Sequence, residues 1–190
     1  MHSTVKDLPR VAFWLVPRLE DREKLQAIIV ALAARFSAPA FVPHVTVCSC
    51  WRTVQQRELA VLAGLADCCQ PITMRMLGLA CKDRLTQTLF VQLQKNAAIT
   101  RLHEMILASL SLPAGNEFEP HMSLLYQNFS VAVRETLVRE NHLNMQKVRF
   151  DELWAVAIPG QLESLDNFVN WQTLLTCRLD SSLLPATIDT

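Results

Sequence analysis

Two short segments of this 190-residue chain carry the same order of residue types. The first is Val42-Pro-His44-Val-Thr46-Val and the second is Glu119-Pro-His121-Met-Ser123-Leu. Each reads proline, histidine, apolar, hydroxyl, apolar. One such match is unremarkable in a chain with nine prolines and five histidines, but two at corresponding places in the two halves are not a chance expectation. In an extended strand residues two apart share a face, so His44 projects with Thr46, and His121 with Ser123. If the two strands face each other, a cleft receives two imidazoles and two hydroxyls. That set suits cleavage of a phosphodiester. Imidazole, with an ordinary pKa of roughly 6.5, can act as base toward an attacking oxygen or as acid toward a leaving one. The hydroxyls can donate to non-bridging phosphate oxygens as charge builds on them. The scheme calls for no metal and no cofactor.

The elements that must hold these strands follow from the hydrophobic period. Val11 to Val16 is an apolar run closed by Pro17 and reads as a buried strand. Residues 20–36 switch to helical spacing, with Leu25, Ile28, Ile29, Leu32 and Phe36 on one stripe, ended by Ser37-Ala-Pro39. Phe41 to Cys48 is a strand. Thr53-Val-Gln-Gln56 has the form of a capping box opening a helix through Leu59, Leu62 and Leu65. Ile72 to Cys81 and Thr86 to Gln94 read as a hairpin about Lys82-Asp-Arg-Leu85. In the second half Asn96 caps a helix carrying Ile99, Leu102, Ile106 and Leu110, stopped by Leu112-Pro-Ala-Gly115. His121 to Tyr126 is a strand, Ser130 caps a helix to about Asn141, and Lys147 to Ile158 and Trp171 to Leu179 are closing strands around a loop at 159–170. Each half thus reads helix, strand, helix, strand, strand.

That order predicts a single α+β domain over residues 1–180, bilobal, with two lobes related by a pseudo-twofold axis. Each lobe has an antiparallel sheet and flanking helices, with first-lobe elements at about 20–94, second-lobe elements at about 97–179 and a tail at 181–190. A doubly wound nucleotide fold is disfavoured, because only four glycines exist and none forms a glycine-rich strand-to-helix turn. Eighteen Lys and Arg against eighteen Asp and Glu provide no global field to hold a long nucleic acid. No apolar run reaches the roughly 18–20 residues of a membrane span, and the first ten residues lack a signal-peptide core. The expectation is a cytoplasmic monomer acting on a small molecule.

With these residues in view, the chain resembles the 2H phosphoesterase superfamily, whose signature is a paired His-x-[Thr/Ser]-apolar motif. Within it the length, the motif spacing, Trp14 and Tyr126 look most like the plant and yeast cyclic phosphodiesterases, over roughly residues 10–180. The resemblance implies opening of a cyclic phosphate on ribose, in 2′,3′-cyclic nucleotides or ADP-ribose 1″,2″-cyclic phosphate, to leave a monoester. It implies His44 and His121 as catalytic histidines, Thr46 and Ser123 as phosphate-holding hydroxyls, and Trp14 and Tyr126 as aromatics flanking the nucleoside. Tyr126 has the wrong parity to share a face with His121, so the strand must bend or end before it. No disulfide carries over to the cysteines here. Two other readings stand beside this one: an RNA-end-processing enzyme (2′–5′ ligation, 2′–5′ cleavage or 3′-end trimming), and a non-catalytic nucleotide-binding module.

Other residues take plainer readings. The cysteines at 48, 50, 68, 69, 81 and 177 lack zinc spacing and read as reduced core residues. His44, Cys48 and Cys50 share strand parity, but an extended chain spreads them too far for one ion. His103 reads as a structural histidine on an apolar helix face, and His2 and His142 as surface residues. Trp51, Trp154 and Trp171 read as core, and Arg52, Lys82 and Arg84 as solvated surface.

Overall fold

The structure is a computed structural model that describes residues 10–113, 117–158 and 171–179. The expected loop at 159–170, the tail, His2 and part of the helix stop at 112–115 fall outside them. Strands β1 (Arg10–Pro17), β2 (Val45–Trp51), β3 (Ile72–Ala80), β4 (Leu89–Leu93), β5 (His121–Leu125), β6 (Lys147–Ile158) and β7 (Gln172–Arg178) are joined with helices α1 (Leu19–Phe36), α2 (Gln56–Asp67), α3 (Ala97–Ser109) and α4 (Val131–Glu140). Most elements form where the hydrophobic period placed them, but the strand expected over Phe41 to Cys48 runs over Val45–Trp51, and the one expected over Thr86 to Gln94 is Leu89–Leu93 after a short helical turn at Leu85–Gln87. Pro43 has no N–H for a ladder, so the sheet begins only after His44. The Asn96 side chain accepts the Ile99 N–H as the expected cap of α3. The capping box of α2 sits two residues later than expected: Gln55 is the N-cap, and the Glu58 carboxylate accepts its backbone N–H at 2.8 Å. A carboxylate at the third helical position reaches back to the cap more effectively than the Gln56 amide of the expected box.

All strand pairings are antiparallel. The twelve residues of β6 serve two groups of strands. Its C-terminal part lies between β1 and β7, and β1 continues to β2. Its N-terminal part pairs with β3, which continues through β4 to β5. Helices α2 and α3 pack on the first group, and α1 and α4 on the second. The two groups therefore interleave the halves of the chain: β1 and β2 fall in one group with β6 and β7, while β3 and β4 fall in the other with β5. The expected division into one lobe per half of the chain does not follow the strand groups, since each group is built from strands of both halves. The physical reason is the length of β6, which supplies an edge to each group.

Strand β1 is buried on both faces. Val11, Phe13 and Leu15 belong to the main core beneath the helices, whereas Ala12, Trp14 and Val16 join Val156 and Ile158 in a separate cluster on the other side. This second cluster floors the cleft between the two groups. Its packing makes the floor rigid, because a close-packed apolar layer resists deformation.

Candidate active site

The two motif strands meet once. Val45 pairs with Met122, the residues immediately after His44 and His121. An antiparallel register centred on that pair sets His44 toward Ser123 and Thr46 toward His121, all four on one face. The histidines are then diagonal neighbours, which on a sheet lie roughly 7–8 Å apart, the span of a phosphoryl group with a hydrogen bond on either side. No second pair joins β2 to β5 among the described residues, so the strands part beyond this point and open a cleft.

Both motif strands carry a β-bulge at the same place. Phe13 faces Cys48 and Trp14 faces Thr46, leaving Val47 without an opposite residue. Leu89 faces Leu125 and Phe90 faces Ser123, leaving Leu124 likewise. Each bulge lies three residues after its histidine and flips the parity of every later position in its strand. This accounts for Tyr126: it returns to the face of His121 and Ser123 although its number has the other parity. It also corrects the placement of the cysteines. Cys50 belongs to the main core and Cys48 packs against it, so neither shares the face of His44 and Thr46, although both border the cleft. Burial raises both thiols, Cys48 to about 12, so neither is a ready thiolate.

Each imidazole is pinned by the chain just before it. His44 Nδ1 lies 2.6 Å from the Val42 carbonyl, and His121 Nδ1 lies 3.0 Å from the Glu119 carbonyl. A carbonyl only accepts, so Nδ1 carries the hydrogen in both rings and Nε2 is the atom offered for proton transfer. The intervening prolines, Pro43 and Pro120, hold this approach extended. His44 is 6% exposed. The Trp14 indole stacks on it at 3.7 Å and 13°, and Phe41 and Trp171 meet it edge-on. Burial among these rings depresses its pKa to about 4, with the charge of His121 acting in the same direction. His121 is also lowered, chiefly by burial, with Lys82 and Arg84 lowering it further and Glu119 opposing them.

A cavity of about 760 Å³ joins His44, Thr46, His121, Ser123, Trp14 and Tyr126 in one wall, so every sequence-predicted site residue meets there. The two aromatics do not offer free faces. Trp14 is 3% exposed and occupied by His44, while Tyr126 is 4% exposed and stacked on Phe41 at 3.9 Å. Tyr126 is also hydrogen-bonded to the Ser123 side chain. The Ser123 hydroxyl donates to the Thr86 carbonyl at 2.7 Å.

Several residues given plainer readings also line this cavity. Trp171 packs edge-on against Trp14, His44 and Tyr126. His103 donates from Nδ1 toward the Val47 carbonyl at the bulge, 2.8 Å away, and stacks on Phe118. Trp51 is 40% exposed, with the Arg10 guanidinium 5.5 Å above its ring, and so is not core. Arg52, Lys82 and Arg84 stand in the wall with Arg10, against two carboxylates, Glu117 and Glu119. Arg52 is tied to Glu58 and Lys82 to Glu119. The cleft is therefore locally cationic in a chain of zero net charge. Gln87 and Arg10 had no sequence signal: a glutamine in a turn and an arginine at a strand start occur in every chain.

An antiparallel α+β architecture with two histidine–hydroxyl strands meeting at one cleft defines a 2H phosphoesterase. The sequence profile of the 2′-5′ RNA ligase superfamily matches residues 22–158, and the chain belongs to that family. The curated cyclic phosphodiesterase of Arabidopsis thaliana is 23% identical over 186 residues, covering 95% of this chain and 99% of the relative. The crystal structure of E. coli LigT complexed with 3′-AMP is 16% identical, with a TM-score of 0.54 over 90% of this chain and 98% of that one. The LigT complex with ATP is 17% identical, with a TM-score of 0.54 over the same shares. Among the described residues no helix is long and apolar enough to cross a membrane.

Proposed function

We propose that this chain hydrolyses a cyclic phosphate on ribose by paired acid–base catalysis between His44 and His121, with no metal in the reaction. The observation that carries the reading is the single pair Val45 to Met122, which sets the two histidines diagonally on one face with their Nε2 atoms free of the backbone. His44, held neutral by its aromatic enclosure, takes a proton from water as the water oxygen bonds to phosphorus. The bond from phosphorus to the ribose oxygen breaks on the opposite side, and His121 gives its proton to that oxygen. A bound phosphodiester anion favours the imidazolium form of His121 that this step requires. Thr46 donates to a non-bridging oxygen, and Ser123 does so by turning its single hydroxyl hydrogen from the Thr86 carbonyl to the phosphate. The Arabidopsis relative, a cyclic phosphodiesterase in name, supports a cyclic substrate.

In this reading Trp14 shapes and encloses His44, and Tyr126 holds Ser123, rather than flanking a nucleoside. The substrate is a small molecule and the protein acts as a cytoplasmic monomer in this reading. A second reading, action on an RNA end, is favoured by the cations of the cavity wall, Arg10, Arg52, Lys82 and Arg84.

The test is turnover of a panel of 2′,3′-cyclic nucleotides, ADP-ribose cyclic phosphate and a short oligonucleotide in the presence of EDTA, with products resolved by ³¹P NMR. Conversion of the cyclic phosphates to monoesters at rates above those on the oligonucleotide is expected. Turnover of the oligonucleotide alone, or complete inhibition by the chelator, overturns the proposal.

A further inference from the structure

We propose that Gln87 is a positioning residue for His121 in the substrate-free cleft, an amide that turns over to partner either protonation state of the imidazole and so favours the protonated ring until the leaving oxygen of a substrate takes the place of the amide at Nε2. This rests on the two-histidine reading above.

Gln87 ends the short helical turn Leu85–Gln87 and is 8% exposed. Its side-chain nitrogen lies 2.9 Å from His121 Nε2. On the other side of the ring, Nδ1 faces the Glu119 carbonyl and carries a hydrogen whichever state the ring is in. A neutral ring therefore has only a lone pair at Nε2, and an amide N–H is the partner it can accept. That is the arrangement present. An imidazolium has a hydrogen at Nε2 and needs an acceptor, which the amide nitrogen cannot be. A half-turn of the amide about its last bond brings Oε1 into that place. Oε1 is buried and has no hydrogen-bond partner among the described residues. An unpaired buried carbonyl is costly, and pairing it with a charged donor is worth more than the neutral bond it replaces. The amide thus gains most from the form of His121 that gives up a proton.

The same turn reaches the neighbouring hydroxyl, since the Thr86 carbonyl accepts from Ser123. One short segment therefore holds both groups of β5 that face the phosphate site. Other groups act on His121 through charge: Lys82 and Arg84 from the connection between β3 and β4, and Glu119 just before β5, while His121 in turn lowers His44 across the cleft. The remaining ring neighbour, Phe90 on β4, is uncharged. Gln87 alone among these contacts Nε2.

The experiment compares wild type, Gln87→Met and Gln87→Glu as intact proteins. NMR follows the titration of the His121 ring without substrate, and kcat/KM on 2′,3′-cyclic AMP is measured across pH. Loss of the acceptor in Gln87→Met lowers the His121 midpoint by about half a pH unit or more, and the carboxylate of Gln87→Glu raises it by at least as much. The alkaline limb of the rate profile moves with the midpoint. A purely structural role lowers activity at every pH and leaves the midpoint in place. Shifts in opposite directions support the proposal even if cyclic AMP is not a substrate, in which case only the substrate reading fails. Equal midpoints, or shifts of the same sign, overturn it. Should a variant not fold, wild type decides: the Gln87 side-chain amide resonances must titrate with the His121 midpoint, and amide resonances that stay fixed through it contradict the proposal.

Discussion

At the residue scale the two hydroxyls share a motif but not a setting. Ser123 donates to the Thr86 carbonyl and holds Tyr126, so it is part of the frame as well as of the site. Thr46 is half-buried and lines the cavity. Removing either costs a donor to the developing phosphate charge, about 10²-fold in kcat/KM. Ser123→Ala also leaves the Thr86 carbonyl without its donor, at roughly 1 kcal/mol of folding stability, whereas Thr46→Ala leaves stability near that of wild type. Urea unfolding of the two variants beside their kinetics separates the roles. Equal stability losses contradict this division. His44 shows a comparable split between frame and site. Its stack on Trp14 and its bond to Val42 fix the ring, and the resulting burial keeps it neutral.

At the scale of elements, the connection between β3 and β4 carries more of the site than its length suggests. It contributes Lys82, Arg84, Thr86 and Gln87 to the cavity wall. Arg134 of α4 anchors it: 2% exposed, it donates to the Lys82 carbonyl at 3.1 Å and pairs with the Asp83 carboxylate. Arg134→Leu is expected to cost about 2 kcal/mol in stability by loss of charge-assisted hydrogen bonds. It also loosens Gln87 and Ser123, so kcat on a cyclic nucleotide falls although no atom of Arg134 lines the cavity. Unchanged kcat in a destabilised variant contradicts the anchoring role. The strands and helices themselves were legible from periodicity, and the motif histidines from their repeated context. The bulges were not. Val47 and Leu124 are ordinary strand residues, and one unpaired position leaves no mark in composition, yet it decides that Tyr126 faces the site and that Cys48 and Cys50 face the core. Nor did the pattern show Trp171 as site wall, because a tryptophan in a strand reads as core until its neighbours are known.

At the scale of the whole molecule, the order of elements announced two lobes but not which edges meet. Strand β6 is long enough to serve both groups, and this interleaving lets β2 and β5 close on each other at Val45 and Met122. Zero net charge likewise hid a cleft whose wall holds four cations and two carboxylates. The fold gives the two cleft imidazoles different surroundings, and the proposed reaction sets one phosphorus between them. On the proposed mechanism the rate requires His44 deprotonated and His121 protonated. In the free protein His44 is depressed to about 4 and His121 lies below its ordinary 6.5. Activity as kcat/KM therefore rises as pH increases through about 4 and falls as His121 loses its proton below about pH 6.5. The most direct measurement is this profile on a 2′,3′-cyclic nucleotide with EDTA present, for wild type, His44→Ala and His121→Ala, each checked for native circular dichroism. The account predicts a bell for wild type and losses of about 10²–10⁴-fold in each variant, with the acid limb absent from His44→Ala and the alkaline limb absent from His121→Ala. Near-wild-type turnover by either folded variant contradicts it.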